Sequence, residues 1–242
     1  MFSSVLIFLL ASVMAGFVIW RYLLFFRNPD RKIPVNPDTI LAPADGQIVY
    51  CRYVENNGRD PILSLKKRKI LRLEDLMNVE HPGLVGKKGW LIGIYMSPFD
   101  VHFNRTPVAG TIRKISHEFP GHPGRGRNLS MFNVMSNLIY DNKPYHEDCD
   151  YLVTNERASY TIENNGFAMF VTQIADRWIR KIVTYKDQEH VEQGDVFGLI
   201  RMGSQVDIFV PDGHGFKVVV EERQPTTAGI TVLMERATRK NQ

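Results

Sequence analysis

The stretch from Val5 to Trp20, VLIFLLASVMAGFVIW, carries no charged residue, and it limits what the chain can be more than any other feature. A helix crosses the hydrocarbon core of a bilayer with about 20 apolar residues. Arg21 interrupts the run, and Tyr22-Leu23-Leu24-Phe25-Phe26 lengthens it; an arginine near one end of a span reaches back to the interface with its long stem. Arg27, Arg31 and Lys32 follow at once, whereas Met1 to Ser4 carry no side-chain charge. The positive-inside tendency then puts the body on the cytoplasmic side of the cell membrane. A cleaved signal peptide has its basic residues ahead of the apolar run, the reverse of the order here. A soluble core helix is the remaining alternative. The expectation is an anchor helix over 1–26 and one domain over 27–242.

From Pro34 onward the pattern changes to short apolar runs broken by turn residues. With 242 residues, 44% of them hydrophobic, there is enough apolar surface for one substantial core, or for two small ones sharing an interface. Ile40-Leu41, the turn Pro43-Ala44-Asp45-Gly46 and Gln47 to Tyr50 read as strand, turn, strand. Trp90 to Met96 and Val108 to Ile115 read as strands around a proline-bounded loop. Ala158 to Ile162 and Phe167 to Ile174 read as a hairpin around Asn164-Asn165-Gly166. Trp178 to Tyr185, Val196 to Ile200, Gln205 to Val210, Phe216 to Val220 and Ile230 to Met234 complete a mainly β (α+β) body. Ile174 to Val183 has a short helix as its alternative, because periodicity does not decide short apolar runs.

Residues 54–88 hold the basic cluster Lys66-Lys67-Arg68-Lys69 with Arg72 behind it, read as a solvated face or a contact for anionic headgroups. Residues 116–150, rich in Gly, Pro, His, Asn and Asp, read as a long loop of the kind that forms lids. Net charge +4 is mildly basic; it suits a phospholipid surface and many soluble enzymes alike, and no nucleic-acid partner is expected. Cys51 and Cys149 are too few for a disulfide framework and read as free thiols. The histidines are scattered, so no metal site is expected.

Gly203-Ser204 lies between two apolar runs and alone reads as a turn. Four blocks in order give it company: Phe26-Arg27-Asn28-Pro29 through Pro43-Ala44-Asp45-Gly46; Met96-Ser97-Pro98-Phe99-Asp100-Val101-His102-Phe103-Asn104-Arg105-Thr106-Pro107 with Val108 to Ile112; Asn155-Glu156-Arg157; and Gln173-Ile174-Ala175 through Arg180-Lys181-Ile182-Val183 to the Gly-Ser pair. Together they resemble the phosphatidylserine decarboxylases, especially the short bacterial and archaeal branch, over roughly residues 25 to 211, with 54–88 and 116–150 poorly matched. The resemblance implies a β-rich, hybrid sandwich-like body. It also implies a lipid enzyme that converts phosphatidylserine to phosphatidylethanolamine and CO2 through a Schiff base with a pyruvoyl group. Removing CO2 from an α-amino acid leaves a carbanion, which needs an electron sink conjugated to the substrate nitrogen.

By the same resemblance Ser204 attacks the carbonyl of Gly203, and the chain parts into about 1–203 and 204–242, the small chain starting with the pyruvoyl group and staying as partner of the large one. Glycine before the serine leaves the attacked carbonyl uncrowded. Asp45 matches the family aspartate that assists the serine, and His102 the histidine associated with decarboxylation. Longer members carry a second histidine three positions on, where this chain has Arg105, so the base for cleavage stays open between His102 and a loop histidine, His117, His122 or His146. Arginine is no base near neutral pH; Arg105, with Asn104, is expected to bind substrate carboxylate or phosphate. Self-association is left open. The rivals are a membrane-anchored relative that binds lipid without processing, and a non-catalytic carrier module, whose lysine at a hairpin tip is missing here.

Overall fold

The computed structural model describes residues 2–55, 73–77, 84, 87–119, 136, 139–140, 151–164, 166–175, 182–201 and 204–236. Gly203, the basic cluster at 66–69 with Arg72, Cys149, His122, His146, Arg180 and Lys181 lie outside them.

The apolar run forms α1 (Phe2–Ile19), which continues into a π-helical segment, Trp20–Phe25. The stretch Ser4–Phe25, 22 residues, is long and apolar enough to cross a membrane, and its side chains stay exposed until Trp20 and Arg21 become half-buried and Phe25 fully buried. The wider π turn places residues four and five apart on one face, which brings Trp20 and Arg21 together against Phe25.

The body is mainly β, as the turn-punctuated pattern predicts. Its centre is an eight-stranded antiparallel sheet in the order β13 (Pro225–Thr226), β2 (Gly46–Val54), β3 (Gly89–Met96), β11 (Ser204–Pro211), β7 (Phe167–Ala175), β6 (Arg157–Asn164), β5 (Gly110–Glu118), β9 (Glu189–Val191). A three-stranded sheet combines β1 (Thr39–Leu41), β14 (Val232–Arg236) and β12 (Phe216–Val218), and another combines β4 (Phe103–Arg105), β10 (Val196–Ile200) and β8 (Ile182–Thr184). Side chains alternate across a strand, so the large sheet has two interiors. One face sets Ile92, Ile94, Val171, Val206 and Ile208 against Ile40, Phe197, Ile200 and Leu233 of the small sheets, a sandwich-like layer. The other sets Leu91, Tyr95, Phe170 and Phe209 against the short helices α2 (Leu73–Met77) and α3 (Tyr151–Thr154).

Three expectations change. Ile174 and Ala175 finish β7, and Ile182 and Val183 open β8, so the helical alternative fails at both ends of 174–183; pairing with β11 gives the first two, and pairing with β10 the last two, the backbone partners a helix would have supplied internally. The long-loop segment gives up residues 116–118 to β5, which pairs with β6 as far as Glu118↔Arg157. Within 54–88, α2 buries Leu73, Leu76 and Met77, so that part of the segment is core.

Candidate functional site

Four strand termini meet at one edge of the large sheet. Ser204 opens β11, its backbone paired with Met96 at the end of β3 and with Ala175 at the end of β7. On the other side of β3, β2 begins at Gly46 and pairs Gln47 with Tyr95. Gly46 has φ +140°, and a Cβ there would stand 2.0 Å from the Tyr95 carbonyl oxygen, so only glycine lets the Asp45 turn approach the end of β3 this closely. Before Ser204, β10 ends at Ile200, whose amide donates to the His102 carbonyl (3.1 Å). The chain thus leaves a small sheet beside His102 and enters the large one at Ser204, beside Met96.

His102 is fixed by the turn before it. Pro98 suits the second position of a tight turn; the Asp100 amide donates to Ser97 O (3.0 Å), and the Ser97 amide to the Asp100 carboxylate (2.7 Å). The imidazole is fully buried, with Nδ1 2.8 Å from the Asp100 carbonyl and its ring stacked on Phe25, centroids 4.0 Å apart. Donation from Nδ1 leaves the lone pair on Nε2, and Nε2 is buried without a hydrogen-bond partner among the described residues. Burial is the main cause that lowers the His102 pKa to about 4; the Asp100 carbonyl and Asp45 oppose it, while Arg27 and Arg21 add to it. The ring is therefore neutral at physiological pH.

Asp45 is tied to a cation the sequence reading took only as a topology signal. Arg31 grips both carboxylate oxygens (2.7 and 2.8 Å) and also donates to Ala228 O (2.7 Å), while the Ala228 amide donates to Asp45 Oδ1 (2.8 Å). This fork-to-fork pair is nearly enclosed, with 7% and 14% of the side chains exposed. No spacing rule links residues 31, 45 and 228; the fold alone brings them together. Asp45 reaches His102 through its field.

The two residues expected to bind substrate have partners inside the protein. Arg105 donates to Gly194 O (2.9 Å) and to Asn28 Oδ1 (2.9 Å), strapping the segment after the N-terminal helix onto the body. Asn104 is fully buried, accepts from Gln173 Nε2 (2.6 Å) and turns its amide toward Met96 Sδ (3.6 Å). Asn155 and Glu156 brace the end of β7: Asn155 Nδ2 donates to Ala175 O (3.0 Å), and the Ala175 amide to Glu156 O (2.9 Å). Arg157 donates to the α2 carbonyls of Asp75 and Leu76 (2.5 and 3.3 Å). His117, one of the candidate bases, sits 2.9 Å from Glu156 Oε1. A surface pocket lined by Val35, Thr39, Phe167, His214 and Phe216 lies toward the opposite end of β7 and holds none of the expected residues.

The comparisons with known proteins fit this arrangement. A family model of phosphatidylserine decarboxylase matches residues 19–234, from the end of α1 into β14. The chain belongs to the phosphatidylserine decarboxylase family. It is 36% identical over 215 residues to the phosphatidylserine decarboxylase proenzyme of Nitrobacter winogradskyi, covering 88% of this chain and 68% of that one. It is 31% identical over 224 residues to the proenzyme of Chlorobium limicola (92% and 82%) and 32% over 232 residues to that of Chlorobium luteolum (96% and 84%). The matched range includes the end of the N-terminal helix, where Phe25 stacks on His102 and is itself met by Trp20 and Arg21. The sequence reading gave Arg21 an interfacial role only; its one signal was a charge set inside an apolar run.

Proposed function

We propose that this protein is a membrane-anchored phosphatidylserine decarboxylase that matures by cutting its own chain between Gly203 and Ser204. The observation that carries the reading is the backbone of Ser204 at the sheet edge where the Asp45 turn and His102 converge. The Ser204 hydroxyl adds to the Gly203 carbonyl carbon, the peptide C–N bond breaks, and an ester forms through the serine oxygen. Loss of the serine α-proton then breaks the Cβ–O bond, leaving Gly203 as a carboxylate and residue 204 as dehydroalanine, whose hydrolysis releases ammonia and gives the pyruvoyl group.

Serine is a weak nucleophile until a base takes its proton. We assign that proton to His102 Nε2, a buried lone pair aimed by the Nδ1 contact to Asp100. Asp45, gripped by Arg31, favours the imidazolium that forms. Once formed, the pyruvoyl carbonyl supplies the electron sink that allows the lipid carboxylate to leave as CO2. His102, buried with Nε2 unpartnered among the described residues, would be the group to hold or return a proton. Asn104 and Arg105 are framework residues in this reading, fixing β4 and the linker.

Cleavage leaves a small fragment that the fold retains. Its first strand, β11, lies between β3 and β7 along most of its length, and β14 lies between β1 and β12. Burial of both faces of β11 gives the two fragments a shared core. The basic residues after α1 support a body on the cytoplasmic face of the membrane.

Intact mass of the purified protein tests the proposal. Wild type is expected as two chains, about 1–203 and 204–242, the small one bearing a keto group trapped by hydroxylamine. Ser204→Ala is expected as one chain of about 27.8 kDa with no decarboxylation. Cleavage in that variant, or an active wild type with an ordinary serine at 204, overturns the proposal.

A further inference from the structure

Around the end of the anchor, buried hydrogen-bond donors lack acceptors. Trp20 Nε1, Arg21 Nη1 and Arg201 Nε are each buried with no partner among the described residues. They belong to one neighbourhood. Trp20 meets the Phe25 ring edge-on at 5.6 Å, and the Arg21 guanidinium lies 4.5 Å from the same ring, which stacks on His102. Arg201 follows Ile200, whose amide is bonded to His102, and the charges of Arg21 and Arg201 act on each other.

The nearby anions and the third cation are engaged elsewhere. Asp45 holds Arg31, Asp100 takes the Ser97 amide, and Arg27 gives its donors to Leu24 O and Phe99 O, both at 2.6 Å. Two cations set near each other with buried, unbonded N–H groups are costly unless an anion with several acceptor oxygens joins them. The depth fits a lipid headgroup: Trp and Arg at the end of an apolar span mark the interface, where lipid phosphates lie.

We propose that Trp20, Arg21 and Arg201 form a seat for the phosphodiester of the lipid headgroup, so that the membrane helix is itself part of the substrate site. The inference rests on the lipid decarboxylase reading above. The phosphodiester suits this seat better than the substrate carboxylate. A carboxylate clamped by two guanidiniums is stabilised in the ground state and held back from leaving, whereas the phosphodiester persists from substrate to product and its binding positions the reacting end.

The test uses the full chain in nanodiscs, with Arg21→Gln, Arg201→Gln and the charge-keeping Arg201→Lys. Each glutamine variant is expected to raise KM for phosphatidylserine about tenfold, the loss of a charge-assisted hydrogen bond, while kcat changes by less than about twofold and Arg201→Lys recovers part of the loss. Completed self-cleavage, read by intact mass, reports that each variant has folded. In Ser204→Ala protein, which needs no turnover, short-chain phosphatidylglycerol, a phosphodiester without amine or carboxylate, is expected to bind about tenfold more weakly once Arg201→Gln is added. Unchanged KM and unchanged phosphatidylglycerol binding overturn the seat, as does a fall in kcat alone. Inorganic phosphate competing as well as phosphatidylglycerol overturns the lipid assignment in favour of a free-anion site. A wild type that neither cleaves nor decarboxylates defeats the underlying enzyme reading instead, so the two failures are distinguishable.

Discussion

His102 and Asp207 occupy two regions of the same sheet system, and burial shifts each toward its uncharged form. His102 stands at the strand edge, its pKa lowered to about 4 chiefly by burial. Asp207 lies within β11, its pKa raised to about 7 chiefly by burial, with Gln205 and Tyr50 opposing. Each leaves one atom without a hydrogen-bond partner, Nε2 in one and Oδ2 in the other. The surroundings separate them. The histidine stacks on Phe25 at the end of the N-terminal helix, and its carbonyl holds the end of β10. The aspartate is enclosed among Gln205 (2.7 Å), Tyr50 and Tyr151, where Gln205 also donates to Tyr50 (2.8 Å) and accepts from Tyr151 (2.5 Å). Gly93 makes room for it, since a Cβ there would lie 2.5 Å from the Tyr50 ring and 2.9 Å from Asp207 Oδ1. An unsatisfied atom at a strand end is open to chemistry; one in mid-strand records only the cost of building the core.

The largest effect that separates the two regions is expected from His102→Asn. If Nε2 handles the proton, the rate of the step it serves falls on the order of 10²- to 10⁴-fold. Fragment analysis beside a decarboxylation assay tells which step that is. Loss of cleavage assigns it to maturation; normal cleavage with lost turnover assigns it to decarboxylation. In wild type the acid limb of the pH–rate profile is expected near 4, below the ordinary histidine range. A variant that matures and turns over normally makes His102 as silent as Asp207 and breaks the comparison.

Much of this architecture is legible in the chain itself. Short apolar runs bounded by turn residues announce β3, β6, β7 and β11, and Asn164 with Gly166 announces the β6–β7 hairpin, because run length and a turn's backbone demands are local. The short strands β9 and β13 carry too few residues to show a period, and pairing with β5 and β2 defines them. At the candidate site, Asp45 and His102 stand out through their motifs. Arg31 and Ala228, which hold Asp45, and Phe25, which covers His102, are unreadable in advance because their roles exist only after distant segments meet. Asp207 is hidden differently: the sequence shows a polar residue in an apolar strand, and the polar cluster that receives it belongs to β2 and α3.

A smaller effect is expected from Asp207→Asn, this time on stability. A carboxyl whose folded pKa is raised from 3.8 to about 7 contributes stability that is fully present below its unfolded value and is lost as pH rises through 7. The amide abolishes that loss, so the variant is expected to exceed wild type at pH 8 by on the order of 1–3 kcal/mol, with the gap narrowing toward pH 5. His102 acts with the opposite sign. Its lowered pKa contributes stability present above 6.5 and lost as pH falls toward 4. The two slopes oppose each other between about 4 and 6.5, and removing Asp207 should expose a stability that climbs with pH across that window. Thermal unfolding in detergent from pH 4 to pH 8 checks it; parallel curves for wild type and variant would mean that Asp207 is ionised in the folded protein.

The smallest effect tests whether the anchor makes the His102 region what it is. Phe25 is fully buried, and its ring lies 4.0 Å from the imidazole, tilted by 27°. An aromatic pair contributes about 0.5–1.5 kcal/mol beyond the area it buries, so Phe25→Leu, which keeps an apolar side chain, should cost little stability. The change should appear in the titration. A smaller, non-planar cover admits water to the ring, weakens the desolvation that dominates its lowered pKa, and moves the acid limb of the pH–rate profile upward from about 4 toward the ordinary 6.5. Activity near neutral pH should fall only severalfold, because the Asp100 contact still orients the ring. A profile that stays where wild type has it would show that the body alone keeps His102 dry, and that the helix end is a membrane tether with no share in tuning the base.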